Sequence, residues 1–250
     1  MVCVVSMQDK PKLKDPILIE GLPGIGFVAN VATLHIIREL KAIQFAEINC
    51  SSFQDFAISA ENGEIRYPTN QLYYYKGTGE ERDLIILYGN TQALTTTGQY
   101  ELCGCILDIA EELSCRFVVT LGGLKREKKI DDPKLYFAAT DKETADQMFS
   151  VGAEVINGQI FGVAGLLIGI GGLRGFRGFC LLAETLGLYP DKIAAQKALN
   201  VVSHMFNLKI SFQNLDETVE ATQNSLENFG LLEHRTQVQR KNQPKSRMVV

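Results

Sequence analysis

The sequence lacks tryptophan and has only three histidines among its 250 residues. His35, His204 and His234 stand far apart, and none has the spacing to another His or Cys that metal sites use. The six cysteines include no C-x-x-C pair. The longest apolar stretch, Ile160 to Leu173, has 14 residues and is too short to span a bilayer. These absences argue against a metal centre, a redox motif and a membrane span.

The cysteines and the N-terminal sequence predict a reducing compartment. The N-terminus shows no basic segment followed by an apolar one, as a signal peptide would. Cysteines that are spread over the chain without pair spacing are typical of free thiols rather than of a disulfide framework. We therefore expect a cytoplasmic protein with six free thiols, at Cys3, Cys50, Cys103, Cys105, Cys115 and Cys180.

Charge is unevenly distributed along the chain. The formal net charge of −4 argues against a nucleic-acid partner. Residues 1–233 carry 20 basic and 29 acidic side chains, whereas residues 234–250 carry five basic and no acidic ones. An acidic body with a basic tail is typical of proteins that use the tail as an interaction segment. The basic residues of this tail are Arg235, Arg240, Lys241, Lys245 and Arg247.

Alternating strand and helix patterns predict one layered α/β domain over residues 1–232, followed by a flexible basic tail over 233–250. Asn62-Gly63 lies between short β-like segments and predicts a hairpin, so the central sheet should be mixed. Predicted strands cover 1–7, 17–20, 42–48, 56–59, 64–67, 72–75, 84–88, 117–121, 135–139 and 180–185. Predicted helices cover 27–40, 98–113, 142–149, 190–206 and 215–229.

A glycine turn after the first buried strand leaves an enzyme alternative open. Strand 17–20 leads into Gly24-x-Gly26-x-x-Ala29, and Glu47 follows about twenty residues later, as in dinucleotide-binding proteins. However, residues 49–90 contain no helix-length pattern for the second β-α-β unit. The structural interpretation is that the glycines only permit a sharp turn between strand and helix. These structural glycines are Gly21, Gly24 and Gly26.

A second glycine-rich segment, 158–178, could hold an anion beside Arg174 and Arg177. Its apolar residues favour instead a buried loop or a bend that glycine permits. A nucleotide- or phosphate-binding enzyme therefore stays as the alternative function. We expect no cofactor and no catalytic residue, because no converging set of titratable groups accompanies the glycines.

The last predicted helix has an apolar seam. Its 4-3-4-3 spacing matches the a and d positions of a short coiled coil. Together with the apolar 160–173 stretch, this seam offers more apolar surface than a monomer readily buries, so we expect a homo-oligomer. The predicted oligomerisation residues are Leu215, Val219, Leu226 and Phe229.

An ordered set of segments resembles the proteasome assembly chaperone two family, which includes archaeal stand-alone proteins. The resemblance covers roughly residues 15–215 and implies a three-layer α/β/α domain similar to nucleoside phosphorylases. It also implies homo-oligomers that help to assemble proteasome α subunits and catalyse no reaction. The matching segments are Ile17 to Asn30, Gly165 to Leu167, Leu181 to Thr185, and Tyr189 to Asp191 with the helix from Ile193.

The chain end departs from one feature of that family. Some members end in a tripeptide of a hydrophobic residue, tyrosine and any residue, which docks between α subunits. This sequence ends in Met248-Val249-Val250, so Val249 stands where the tyrosine would be. We still expect the tail to bind the partner, through Lys245, Arg247, Met248, Val249 and Val250.

Overall fold

The computed structural model describes residues 3–59, 62–128 and 132–232, which form six helices and eleven strands. The predicted tail lies outside these residues. The helices are α1 (Val28–Leu40), α2 (Thr96–Glu112), α3 (Lys142–Ser150), α4 (Gly162–Leu173), α5 (Lys192–Met205) and α6 (Leu215–Asn228). The strands are β1 (Cys3–Met7), β2 (Ile17–Gly21), β3 (Ile43–Cys50), β4 (Ile58–Ser59), β5 (Ile65–Arg66), β6 (Asn70–Tyr75), β7 (Leu84–Gly89), β8 (Phe117–Lys125), β9 (Leu135–Ala139), β10 (Glu154–Val155) and β11 (Arg177–Thr185).

Nine of the described strands form one mixed sheet in the order β1-β3-β6-β7-β2-β8-β11-β9-β10. Its centre is parallel, since β7, β2, β8 and β11 run in the same direction. The strands β1, β3 and β6 continue it antiparallel on one side, and β9 pairs antiparallel with β11 on the other. The strands β4 and β5 form a separate hairpin around Asn62-Gly63. The mixed sheet expected from the sequence is confirmed.

Helices cover both faces of this sheet. Successive residues of a strand point to opposite faces, so the fully apolar start of β2 divides between two cores. Ile17 and Ile19 pack beneath α1, α3, α5 and α6, whereas Leu18 packs beneath α2 and α4. The result is the three-layer α/β/α fold that the sequence predicts.

The glycine-rich segment expected to be a loop or bend forms helix α4. Five of its twelve residues are glycine, and each costs a helix about 1 kcal/mol relative to alanine. Packing overrides this cost: Val163 and Leu167, one turn apart, are fully buried against the sheet and α2. Gly165 lies so close to the Ile160 carbonyl that an added Cβ would overlap it. The prediction of a non-helical segment was therefore wrong.

Cys3 and Cys50 form a disulfide, which corrects the prediction of six free thiols. The two residues lie directly opposite each other in the antiparallel pair of β1 and β3, although 47 positions separate them in the sequence. Spacing rules do not detect such a pair, because strand pairing creates it. The other four cysteines, all within the described residues, are free. Burial raises the pKa of Cys103 and Cys180 to about 12, so these thiols stay protonated at neutral pH.

Helix α6 packs onto its own chain. Leu215 and Leu226 are buried, and His35 of α1 is hydrogen-bonded to Thr218 at 3.0 Å. Helix α6 contacts α1 and α5 of the same chain, and the predicted oligomerisation role of the two buried leucines stays a prediction. Two other residues of the seam are half-buried, and their predicted role stays a prediction. They are Val219 and Phe229.

Candidate protein-binding site at the carboxyl edge of the sheet

The four parallel strands end at the same edge of the sheet, which we call the carboxyl edge. In open α/β sheets, ligands and partners bind just beyond the carboxyl ends of parallel strands. Three connections meet here: residues 22–27 after β2, 90–95 after β7, and 186–191 after β11. The carboxyl edge is therefore the expected position of a binding site.

Two of the three predicted structural glycines are required by the turn after β2. An added Cβ at Gly21 would overlap the side chain of Thr33. Gly26 has φ of +64°, and a Cβ there would lie 2.6 Å from the Thr185 hydroxyl oxygen. Gly24 differs: its backbone is extended, and an added Cβ would meet only the Leu22 carbonyl oxygen, at 4.0 Å. The sharp turn thus depends on Gly21 and Gly26, but not on Gly24.

Hydrogen bonds join the turns after β2 and β11 into one unit. The Asp191 amide donates to the Gly26 carbonyl oxygen at 2.9 Å. The Thr185 hydroxyl donates to Asp191 Oδ2 at 2.6 Å and accepts the Gly187 amide at 3.1 Å. Asp191 Oδ1 accepts the Ala194 amide at 3.1 Å and so caps α5. The two loops consequently hold a single fixed arrangement.

Gln92 links this unit to the third connection and to α4. Its Nε2 donates to the Pro23 carbonyl oxygen at 2.5 Å, and its Oε1 accepts the Val163 amide at 3.1 Å. One side chain thus ties the turn after β2 to the first turn of α4. The carboxyl edge is rigid across three neighbouring elements.

Exposed apolar side chains stand on this rigid base. Leu188 is 63% exposed. Ile25, in the turn after β2, lies beside Gly187, which belongs to the same loop as Leu188. Ile193 extends the surface onto the first turn of α5. Contiguous exposed apolar residues on a fixed backbone are typical of protein-binding surfaces. We call this surface the edge patch; it comprises Ile25, Leu188, Tyr189 and Ile193.

Glu20 lies buried below the edge patch, on β2. Its Oε1 accepts the Leu22 amide at 2.8 Å, whereas Oε2 has no hydrogen-bond partner among the described residues. Burial raises the pKa of Glu20 to about 8, so the side chain is mostly neutral at pH 7. Sequence reasoning missed this residue, although an acid inside the apolar run 17–21 was a visible signal. A neutral carboxyl buried among apolar side chains supports the turn rather than a charged ligand.

Glu47, the acidic residue that the dinucleotide-binding alternative requires, does not lie where it could bind a ribose. Glu47 lies on β3, which two strands, β6 and β7, separate from β2. A ribose-binding acid would stand at the end of a parallel strand next to β2. Here β3 pairs antiparallel with β6, and Glu47 Oε1 accepts a 2.9 Å hydrogen bond from Gln44 instead.

The two arginines that the phosphate-binding alternative requires are paired with acidic side chains. Arg174 is paired with Asp108 at 2.7 Å and with Glu111 at 2.6 Å. Arg177 is paired with Asp141 at 3.3 Å. Both arginines follow the C-terminal end of α4, at the edge opposite the glycine turn. Both arginines that could have served an anion at the second glycine-rich segment are therefore engaged in ion pairs.

Within the described part of the chain, no group of three or more His, Cys, Asp or Glu side chains could hold a metal ion. Over the same residues, no helix is both long and apolar enough to cross a membrane.

The predicted partner-binding residues of the tail, Lys245 to Val250, lie outside the described residues. The structure does place the end of α6. Phe229, just after α6, lines a groove together with Tyr88 and Asn90, which stand at the end of β7. The chain therefore leaves the described structure at the carboxyl edge, the same edge that carries the edge patch.

Comparison with solved structures gives a close match over nearly the whole chain. The crystal structure of PbaB from Pyrococcus furiosus, an archaeal proteasome activator, matches with a TM-score of 0.82 and 36% identity, covering 92% of this chain and 99% of that one. PbaA from the same organism, an archaeal homolog of proteasome-assembly chaperone, matches with a TM-score of 0.73 and 23% identity, covering 91% and 96%. At that identity, PbaA supports the fold alone.

Sequence comparison agrees. Protein MJ1210 of Methanocaldococcus jannaschii is 33% identical over 231 residues, covering 91% of this chain and 88% of that protein. PbaB is a proteasome activator, a role that agrees with the prediction of a non-enzymatic protein. The PAC2 family model matches residues 18–229, and the chain belongs to the PAC2 family.

Proposed function

We propose that this chain binds proteasome α subunits as an assembly chaperone or activator, acting as a homo-oligomer in the cytoplasm. The observation that carries the proposal is the match to PbaB, a proteasome activator, which extends over 92% of this chain at 36% identity. The edge patch and the tail supply the surfaces that such binding requires.

The edge patch and the tail can contact one partner together. The tail begins a few residues after Phe229, which lies at the carboxyl edge beside the end of β7. The patch lies at the same edge, beyond the ends of β2 and β11. In the sheet, β2 is the direct neighbour of β7, and β11 is the third strand from β7. A partner seated on the patch therefore lies within reach of the tail.

The chemistry of the tail suits binding to an acidic surface with small apolar pockets. Its five basic residues attract an acidic surface and accelerate the encounter. Met248 and Val250 then enter small apolar pockets. Aromatic anchors dominate many such contacts, so Val249 in place of tyrosine makes a single tail a weak ligand.

Self-association compensates for weak single contacts. When several tails are linked in one oligomer, each further tail binds at a high effective concentration, and the overall affinity exceeds that of one tail. The proposed homo-oligomer and the weak tail thus belong to the same mechanism.

The experiment measures equilibrium binding of purified proteasome α-subunit complexes to four immobilised chains at physiological salt. These are the wild type, a chain ending at Gln243, Leu188→Glu, and the matched control Val155→Glu, which changes an exposed apolar residue on the distant strand β10. We expect truncation and Leu188→Glu each to weaken binding at least tenfold and the control to bind like wild type. Equal binding by all four chains would overturn the assignment of both surfaces.

A further inference from the structure

The connections that meet at the carboxyl edge carry almost no charge. Asp191 is the one charged residue in the three connections after β2, β7 and β11. Both of its carboxylate oxygens are used within the chain, by the Thr185 hydroxyl and the Ala194 amide. Apolar side chains are exposed here instead, and Leu94, at 66% exposure, extends them beyond the edge patch. The charge around these connections therefore determines which partner they accept.

Three helices begin at this edge without an acidic side chain to offset their positive ends. The helices α1 and α2 follow parallel strands, and the bond from the Val163 amide to Gln92 places the start of α4 beside them. None of the three has an acid at its N-cap or in its first turn. By contrast, α3 begins at the opposite edge and has Asp141 as its cap and Glu143 in its first turn. Acids at helix N-termini are favourable, so their absence leaves the carboxyl edge with a positive potential.

Lys125 adds a full positive charge within the edge patch. It ends β8, which lies between β2 and β11 in the sheet. Its side chain is exposed, and among the described residues it forms no ion pair. An added Cβ at Gly187 would lie 2.9 Å from Ile25 Cγ2 and 3.8 Å from Lys125 Cγ. The lysine and the apolar Ile25 therefore flank the same bare glycine.

The acids around the end of β8 do not neutralise this lysine. Glu184, near the end of the neighbouring strand β11, is paired with Arg126 at 2.6 Å. After β8, the exposed Glu127 is followed by the exposed Lys128, so these two charges offset each other. Lys125 is thus left with an unopposed positive charge, in a chain whose formal net charge is −4.

We propose that the edge patch binds an acidic amphipathic segment of a protein partner. The apolar side chains of that segment cover Ile25 and Leu188, and one of its carboxylates pairs with Lys125. The proposal deepens the proposed function, on which it rests, by naming the chemistry of the surface that the partner presents. The basic tail has the same sign of charge and favours the same kind of partner.

The two parts of this surface have different roles in binding. Apolar side chains on a fixed backbone supply most of the affinity, because their burial removes apolar area from water. A charge at the rim of such a patch selects the partner, since it attracts an acidic segment and repels a basic one. Lys125 should therefore change which segment binds more than it changes how much apolar area is buried.

The test compares the wild type with Lys125→Glu and with the matched control Lys12→Glu, each in the full chain. Lys12 is exposed and precedes β2, at the opposite edge of the sheet, so its variant makes the same charge change away from the edge patch. Because both lysines are exposed, we expect all three chains to have similar thermal unfolding curves. A difference in binding then reports on the surface and not on the fold.

Three synthetic peptides serve as probes. They share one amphipathic pattern of leucine and differ in their polar residue, which is glutamate, glutamine or lysine. Their binding is measured by fluorescence anisotropy at physiological salt. We expect the wild type and Lys12→Glu to bind the glutamate peptide at least about threefold more tightly than the glutamine peptide, and the lysine peptide most weakly. Lys125→Glu should lose this preference and should bind the lysine peptide more tightly than the wild type does.

The proposal is overturned if Lys125→Glu keeps the wild-type preference, because the basic tail or the whole chain would then be its source. Loss of the preference in Lys12→Glu as well overturns it for the same reason. It is also overturned if the wild type does not distinguish the peptides, or binds none of them up to about 1 mM. Tighter binding to vesicles of phosphatidylserine and phosphatidylcholine than to the glutamate peptide would make a membrane surface the occupant instead.

A separate measurement distinguishes this proposal from the proposed function. Purified α-subunit complexes are titrated against the same three chains. If they do not bind the wild type while the peptide preference depends on Lys125, the proposed function fails and the acidic segment stands. If they bind all three chains equally and the peptide preference does not depend on Lys125, only the acidic segment fails.

Discussion

The Thr185 hydroxyl donates a 2.6 Å hydrogen bond to the Asp191 carboxylate, which also accepts the Ala194 amide at the start of α5. The backbone amide of Asp191 bonds in addition to Gly26, in the turn after β2. One residue therefore fixes the helix that carries Ile193 and the loop that carries Leu188. The shape of the edge patch depends on Asp191 although Asp191 is not part of the patch.

Asp191→Ala is expected to lower stability by about 2 kcal/mol, because it removes a helix cap and the bond from Thr185. For a chain of this size, the melting temperature should fall by roughly 4–8 °C. Binding of α-subunit complexes should weaken as well, since the patch loses its fixed shape. Thermal unfolding and equilibrium binding measure the two effects.

The matched control is Asp141→Ala. Asp141 caps α3 through the Thr144 amide at 2.9 Å and pairs with Arg177, which begins β11 at the opposite edge of the sheet. We expect a similar loss of stability with unchanged binding. If both variants weakened binding equally, the effect would be general instability and the link from Asp191 to the patch would be refuted.

Alanine substitutions at the glycine turn should differ sharply. Gly21→Ala forces a methyl group into Thr33, and Gly26→Ala combines a left-handed backbone with a close contact to Thr185. Each should cost about 1–3 kcal/mol. Gly24→Ala should change stability by no more than about 0.5 kcal/mol, because its backbone is extended and the space is open. Urea unfolding measures the free energy of unfolding of the three variants. Equal losses of stability at all three positions would contradict the structural account.

Glu20 should make stability fall as pH rises. In the folded state its pKa is raised to about 8, so between the ordinary carboxyl value of 4.5 and pH 8 the folded chain holds a proton that the unfolded chain has released. Unfolding is then favoured as pH increases, and the contribution of the buried neutral acid is lost through this window. Glu20→Gln keeps a neutral side chain at every pH and should remove the trend.

The measurement is the free energy of unfolding of wild type and Glu20→Gln at pH 5, 6.5 and 8. We expect the difference between the two chains to shift by more than 1 kcal/mol in favour of the glutamine variant from pH 5 to pH 8. Comparing the two chains cancels opposite effects from other acids, such as Glu184, whose pKa is lowered by the Lys134 amide and Arg126. Parallel pH profiles would show that Glu20 is not a buried neutral acid.

The disulfide between Cys3 and Cys50 predicts a specific thiol count. Alkylation of the denatured chain should label four cysteines without reductant and six with it. Reduction, or Cys3→Ser, should lower stability by about 2–4 kcal/mol, because the bond closes a long loop. Six labelled thiols in the unreduced chain would show that the bond is not formed in solution.

The sequence predicts much of the fold because its strands and helices have strong local patterns. The strand β9 begins and ends where it is predicted, at Leu135–Ala139, and the start of α6 is also predicted correctly. The start of α5 is less accurate, since the helix is predicted to begin at Pro190 but begins at Lys192, with Asp191 as its N-cap. Local signals of this kind depend on a few neighbouring residues, so they can be read without the fold.

The missed features depend on contacts between distant residues. Helix α4 forms because Val163 and Leu167 are buried by the sheet, against the helix propensity of its glycines. The edge patch requires the turns after β2 and β11 to meet, which the hydrogen bond from Asp191 to Gly26 shows only in the folded chain. Sequence reasoning therefore found the glycines of this edge but not the apolar surface that they support.

The central claim is that this chain binds proteasome α subunits, and one titration tests it most directly. Increasing amounts of the full wild-type chain are added to purified archaeal α-subunit complexes at physiological salt, and the mass of the mixture is followed by analytical ultracentrifugation. The account predicts a saturable complex in the micromolar range whose affinity falls at least tenfold when the chain ends at Gln243. If folded wild-type chain formed no complex with α subunits up to about 100 µM, a weak-binding limit of roughly −5.5 kcal/mol, the account would be contradicted.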